Sequence, residues 1–129
     1  MKTEELQTAS GWFAGRVPES WFAGAPTVTS DGKQIKVVGA LAEPELDGSA
    51  PAPTRAGAQE GRIGRFREET RGYRIHIARE AEHRFKLPIT WGATCGKTSL
   101  DFTPGGSGRG EGAGEGKGKG RKPRDVQNF

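Results

Sequence analysis

Residues 59–86 read QEGRIGRFREETRGYRIHIAREAEHRFK, and whether this stretch is helix or strand decides the fold. Ile63, Phe66, Thr70, Tyr73, Ile77, Ala81 and Phe85 step by three or four, which makes one stripe at helical period. Two features pull the other way. Gly61, Gly64 and Gly72 each weaken a helix by about 1 kcal/mol against Ala, and Tyr73, Ile75 and Ile77 alternate as a strand would. The stripe persists for about six turns, longer than an ordinary strand. It therefore predicts a helix over 59–86, bent at Gly72 and stopped by Pro88. At 1.5 Å per residue it is about 40 Å long. That outreaches a small sheet, so one end is expected to project or to pair with another helix.

Strand signals lie on both sides. Upstream, PTVTSDGKQIKVVGAL (26–41) is rich in β-branched residues around Asp31-Gly32, a strong hairpin turn, and predicts strands near 27–30 and 33–41. Downstream, LPITWGATCGKTSLDFT (87–103) alternates on either side of Cys95-Gly96-Lys97-Thr98, which reads as a turn. Between hairpin and helix, AEPELDGSAPAPTRAGA (42–58) has three Pro and no apolar period, the composition of a linker loop. Residues 1–10 are polar and expected to be flexible. Trp12-Phe13-Ala14-Gly15 is echoed by Trp21-Phe22-Ala23-Gly24. Two copies do not make a solenoid, and both aromatic pairs are expected as core anchors. Residues 104–129 centre on GGSGRGEGAGEGKGKGRKPR, which is costly to order and has almost nothing apolar to bury, so a disordered basic tail is expected.

The expected fold is α+β. Two hairpins form a small antiparallel sheet packed against one long helix, within a domain spanning 11–103. The core candidates are Trp12, Phe13, Trp21, Phe22, Ile63, Phe66, Ile77, Phe85, Trp91 and Phe102.

Composition limits the function. The 129-residue chain is 32% hydrophobic, with net charge +4. The charge is uneven. Residues 59–103 hold 9 basic and 6 acidic groups, and residues 104–129 hold 6 and 3, so the second half is the basic half. That favours anionic partners. Cys95 is the only cysteine, so there is neither an intrachain disulfide nor a cysteine zinc cluster. No signal peptide or membrane span is apparent, and a cytoplasmic location is expected.

Three constellations hint at chemistry and none is complete. Gly96-Lys97-Thr98 resembles the end of a phosphate-binding loop, but the first glycine of that motif would fall at Trp91, and a strand rather than a helix follows. Cys95 lacks a motif-linked base and reads as a small, semi-buried thiol in a turn. His76, Glu80 and His83 share a helical face, but further ligands from other helices are missing, and a solvated polar face is the better reading. No catalytic residue, metal site or cofactor is therefore expected, and the chain is not expected to be an enzyme.

What remains is basic. The helix carries Arg62, Arg65, Arg67, Arg71, Arg74, Arg79, Arg84 and Lys86, interleaved with Glu60, Glu68, Glu69, Glu80 and Glu82. Arginine favours two-pronged phosphate contacts. Arg62, Arg65, Arg71 and Arg74 are the candidate nucleic-acid contacts on the helix. Lys117, Lys119, Arg121, Lys122 and Arg124 are those of the tail, where a flexible basic segment can track phosphates without reading sequence. The expected function is a non-enzymatic, nucleic-acid-associated or regulatory protein with DNA or RNA as partner. The alternative is an interaction module that homodimerises through the helix.

RVPESWFAGAPTV (16–28), KVVGALAEP (36–44), RIGRFREETRGYRIHIAREAEHRF (62–85) and TWGATCG (90–96) together resemble the N-terminal part of a family of uncharacterised small proteins from high-GC bacteria. The likeness covers about residues 11–102. It implies no catalytic residue. Proteins of that kind continue into a helical segment similar to a ribbon-helix-helix unit, which implies DNA binding. This chain departs from the pattern after Phe102 and carries the Gly/Lys tail instead.

Overall fold

The computed structural model describes residues 1–102. The tail expected over 104–129 lies outside the described residues. The elements run α1 (Thr3–Arg16), β1 (Thr27–Ser30), β2 (Ile35–Ala40), α2 (Ala52–Phe85), β3 (Ile89–Cys95) and β4 (Thr98–Phe102). The fold is α+β, with a four-stranded sheet in the order β1-β2-β3-β4 and one long helix.

The stripe over 59–86 is helical, and α2 is longer than expected, at 34 residues or about 50 Å. Residues 52–58, expected as linker, form its first turns. Pro53 is tolerated there because its missing N–H would find no partner in the first turn. Ala52, Ala56 and Ala58 are strong helix formers that show no apolar period. At the far end Lys86 adopts a left-handed conformation (φ 67°) and donates its N–H to the Glu82 carbonyl at 2.9 Å. Pro88 follows, as the sequence requires.

Residues 1–10, expected to be flexible, are helical from Thr3. The Lys2 N–H donates to the Glu5 carboxylate at 3.1 Å, and Glu4 and Glu5 complement the positive end of the α1 dipole. Leu6, Ala9 and Phe13 then fall on one face, and Ala9 and Phe13 are fully buried. Three small or scattered apolar residues make a weak sequence signal, but tertiary burial of that face stabilises the helix.

Both hairpins form where expected. In the first, Thr27 pairs with Val38 and Ser30 with Ile35. Its turn is closed by the Asp31 carboxylate, which accepts from the N–H groups of Lys33 (2.8 Å) and Gln34 (3.0 Å). In the second, Trp91 pairs with Phe102 and Cys95 with Thr98. The expected all-antiparallel sheet needs correction, because β2 and β3 pair in parallel, with Ile35 opposite Ile89 and Val37 opposite Trp91. The reason is topological. A single helix between the hairpins returns the chain to the end of the sheet where β2 began, so β3 must run alongside it.

One face of the sheet carries the core. Val37, Trp91 and Phe102 lie side by side across three strands and meet Phe13 of α1 and Phe66 of α2. Phe22, Ile63, Ile77, Ile89 and Ala81 are also buried, while Trp12, Trp21 and Phe85 are half-buried against them. Each large side chain removed from water contributes about 1.5–3 kcal/mol before entropy is counted. Trp21 ties the layers together by edge-on contacts to Phe66 (5.4 Å), Tyr73 (5.8 Å) and Trp91 (6.0 Å). The Trp91 Nε1–H is enclosed without an acceptor among the described residues, a penalty of about 1–3 kcal/mol. Two positions of the stripe differ from expectation. Tyr73 is exposed, and Arg74 takes a buried place beside Thr70.

Candidate functional site

The basic residues of α2 do not form one continuous face. Arg65 is exposed, and Arg62 is half-buried, with its charge felt by Cys95. Arg71 is exposed, but Arg74 is only 7% exposed and is not a surface contact, contrary to expectation. Its long stem lies at the helix–sheet boundary, and its polar head is held by the chain itself. Arg74 Nε donates to Thr70 Oγ1 at 2.9 Å, and Arg74 Nη2 donates to the Arg67 carbonyl at 2.7 Å. Lys117, Lys119, Arg121, Lys122 and Arg124 lie outside the described residues.

The structure brings together a different set. Arg67, Arg71 and Arg74 stand at i, i+4 and i+7 and so share one side of α2. Arg67 and Arg74 both place their guanidinium carbons over the ring of Phe102, the last residue of β4, at 5.5 and 5.0 Å from its centre. Burial is the main reason that the Arg74 guanidinium is pushed down to about 10, and the like charges of Arg67 and Arg71 add to it. Arg67 is lowered too, first by burial and then by Arg71, against a smaller opposing effect of Glu68. No carboxylate among the described residues forms an ion pair with Arg67 or Arg74. Arg67 was not among the residues selected from sequence. Its spacing to Arg71 and Arg74 was the available signal, and interleaved Glu68 and Glu69 obscured it.

The remaining candidates are accounted for structurally. Gly96-Lys97-Thr98 forms the β3–β4 turn, with Gly96 at φ 59°. A βαβ unit is present as β2-α2-β3, but the motif lies after it and opens no helix. Thr98 Oγ1 donates to Gln59 Oε1 at 2.8 Å, and Gln59 Nε2 donates to Glu43 at 3.0 Å, so the turn is tied to the start of α2. Cys95 is not semi-buried in a turn but fully buried as the last residue of β3, where burial raises its thiol. Glu80 is held by Arg16 at 2.6 Å, and His76 stacks flat on Tyr73. A recess of about 280 Å³ beside Val17, Phe22 and Pro26 is shallow and has Glu19 as its one charged lining residue.

A family model described as "Rv1265-like protein, N-terminal domain" matches residues 7–100, which take in most of α1, all of α2 and nearly the whole sheet. The chain belongs to this family. Among curated relatives of the Rv1265-like domain, it is 44% identical over 95 residues to the uncharacterised protein Rv1265 of Mycobacterium tuberculosis H37Rv. It is equally similar to the uncharacterised protein Mb1296 of Mycobacterium bovis. The aligned stretch is 74% of this chain and 40% of each relative. No solved structure matches. The Rv1265-like region contains all three arginines and stops two residues short of Phe102, whose ring lies under Arg67 and Arg74. No helix among the described residues is long and apolar enough to cross a membrane.

Proposed function

We propose that this Rv1265-like domain is a non-enzymatic, nucleic-acid-associated module of a regulatory protein, contacting phosphates through arginines of α2. The observation that carries the reading is the pair Arg67 and Arg71, exposed and one turn apart beside the buried stripe of a 34-residue helix that is anchored on the sheet; Arg65 is exposed on another side of the same helix. A packed helix has its backbone already ordered, so binding has to fix only the side-chain rotamers. The Lys/Arg segment 117–124 supplies additional charge. The alternative of dimerisation through α2 lacks comparable support, because the apolar stripe is already covered by the sheet and by α1.

The test is fluorescence anisotropy of the full chain with random duplex DNA and single-stranded RNA at 50 and 200 mM salt. Affinity should fall steeply with salt. Replacing Arg65, Arg67 and Arg71 together by Ala should lower the salt slope by about 0.7–0.9 per lost phosphate contact. Replacing Lys117, Lys119, Arg121, Lys122 and Arg124 by Ala in the full chain reports the share due to the tail. No binding at 50 mM by the unaltered chain rejects the proposal.

A further inference from the structure

We propose that the free edge of β4 is an interface between two copies of this chain, which pair antiparallel about Leu100 and join their four-stranded sheets into one. The pairing uses the strand edge and not the apolar stripe of α2, which the sheet and α1 already cover.

The first observation is an open edge. β4 is the last strand of the sheet, and its register with β3 is unbroken from Thr98 to Phe102. Gly96-Lys97 is a two-residue turn, so Cys95 and Thr98 close it as a hydrogen-bonded pair. Bonded and unbonded pairs alternate along an antiparallel ladder. Leu100 and Phe102 therefore also bond to β3, and Ser99 and Asp101 turn their N–H and C=O groups outward. Those outward groups meet no partner among the described residues. Edge strands are commonly blunted by a bulge, a proline or a lysine, and Thr98–Phe102 has none of these.

The second is self-complementarity, which a two-fold interface requires. With the dyad at Leu100, Ser99 faces the partner's Asp101 and Asp101 faces the partner's Ser99. The outward groups of the two chains then bond each other. The two Asp101 carboxylates do not meet, and each is paired with its own Lys36 at 2.7 Å. Leu100 faces its own copy in a close, unbonded pair. It lies on the core side of β4, two residues from buried Phe102, yet is 41% exposed because the sheet ends there. A second copy covers it.

The third is charge. α2 packs chiefly on β3 and β4. Neighbouring strands are about 4.8 Å apart, so a dyad beside β4 sets the two α2 axes about 10 Å apart, within helix-packing distance. Gln59 touches Thr98, and Phe66 and Arg67 lie on Phe102. Leu100 is midway between these contacts, so the antiparallel helices meet level with residues 63–64. Glu60 of each copy then stands beside the partner's Arg67. Glu60, Gly64 and Arg67 share the side of α2 toward the edge, at i, i+4 and i+7. Both charged residues are exposed, and among the described residues neither is in an ion pair. Gly64 between them has open space where a Cβ would stand, which admits the second helix. A carboxylate on one edge of the Arg67 guanidinium leaves further N–H groups for a phosphate.

The experiment is light scattering of the full chain over a concentration series. The mass should rise from one chain to two. L100K should weaken association about tenfold or more, because like charges then face each other across the dyad. S99P removes an outward N–H without breaking a bond to β3 and should act likewise. E60R and R67E should each weaken the dimer, and E60R/R67E should restore it. Because Leu100 is exposed, the dilute L100K chain should unfold at the same denaturant concentration as the dilute parent. L100C gives a second readout. Cα atoms of a close antiparallel pair are about 4.5 Å apart, within reach of a disulfide, so mild oxidation should link two chains. T29C on β1, at the opposite edge, should not link, and the native Cys95 is buried in both variants. A single-chain mass at every concentration overturns the proposal. So does a dimer that is indifferent to L100K and is not linked through L100C, or one linked through T29C instead. Nucleic-acid binding is measured separately, so either reading can fail alone.

Discussion

The ring of Phe22 lies against Gly39 in the space that a Cβ at that position would occupy. Gly39 sits near the end of β2, and Phe22 reaches it from the loop between α1 and β1, where the Ala23 N–H donates to the Ala40 carbonyl at 2.8 Å. The glycine is therefore a seat for an aromatic side chain from another part of the chain. Gly39→Ala should destabilise by about 1–3 kcal/mol, the usual range for overpacking. Urea unfolding followed by tryptophan fluorescence checks this, since Trp21 contacts Phe22. An unchanged midpoint would mean that the ring moves aside freely.

Thr70 and Arg74 form a second pair with opposite expectations. Thr70→Val keeps shape but leaves the buried Arg74 Nε–H without its acceptor, which should destabilise by about 1–3 kcal/mol. Arg74→Met keeps much of the packing on Phe102 and removes the desolvated charge, so it should lie within about 1 kcal/mol of the parent. Denaturant midpoints for both variants decide the matter. A neutral Thr70→Val beside a severe Arg74→Met would show that the guanidinium is held by something other than Thr70.

The contact between α1 and α2 is expected to respond to pH. The hydrogen bond from Arg16, with smaller help from nearby charge, holds the Glu80 carboxyl below the usual carboxylate range. A depressed folded value means that the contact stabilises fully above the unfolded carboxylate range and fades as pH falls through the folded value. The stability difference between the parent and Glu80→Gln should therefore be present at pH 7 and close below about pH 4. Unfolding at pH 7, 5, 4 and 3 measures it. A difference that stays constant over that range would contradict the assignment.

Cys95 should be inert in the folded protein. Its Sγ is enclosed and lies 4.0 Å from the Ala42 carbonyl, and burial is the main reason its thiol is raised. Alkylation by iodoacetamide at pH 8 should be slow and should track unfolding as urea is added. Equal rates with and without denaturant would show that the end of β3 opens readily.

The two hairpins and the long helix were legible in the sequence because each carries local information: Asp31-Gly32 for one turn, Gly96 for the other, and a sustained period for α2. What was hidden is of two kinds. The first turns of α2 and the whole of α1 have weak periodicity, since Ala, Gly and single apolar residues make a helix whose stability depends on neighbours far along the chain. The parallel pairing of β2 with β3 is likewise a non-local choice. The arginine cluster was half legible. Arg71 and Arg74 were selected, but which arginines share a side with Phe102 depends on how α2 is rotated on the sheet. Once Arg74 occupies a buried position of the stripe, Arg67 and Arg71 follow.

The central β2–β3 pairing has a kinetic consequence. The hairpins on either side can zip from their turns within microseconds, but their joining edge can form only after everything from Leu41 to Pro88 has been gathered in. The loop entropy for that step has no local contact to offset it, so it is expected to be the slow event in folding. A preformed α2 shortens the search by converting most of that connection into a stiff rod.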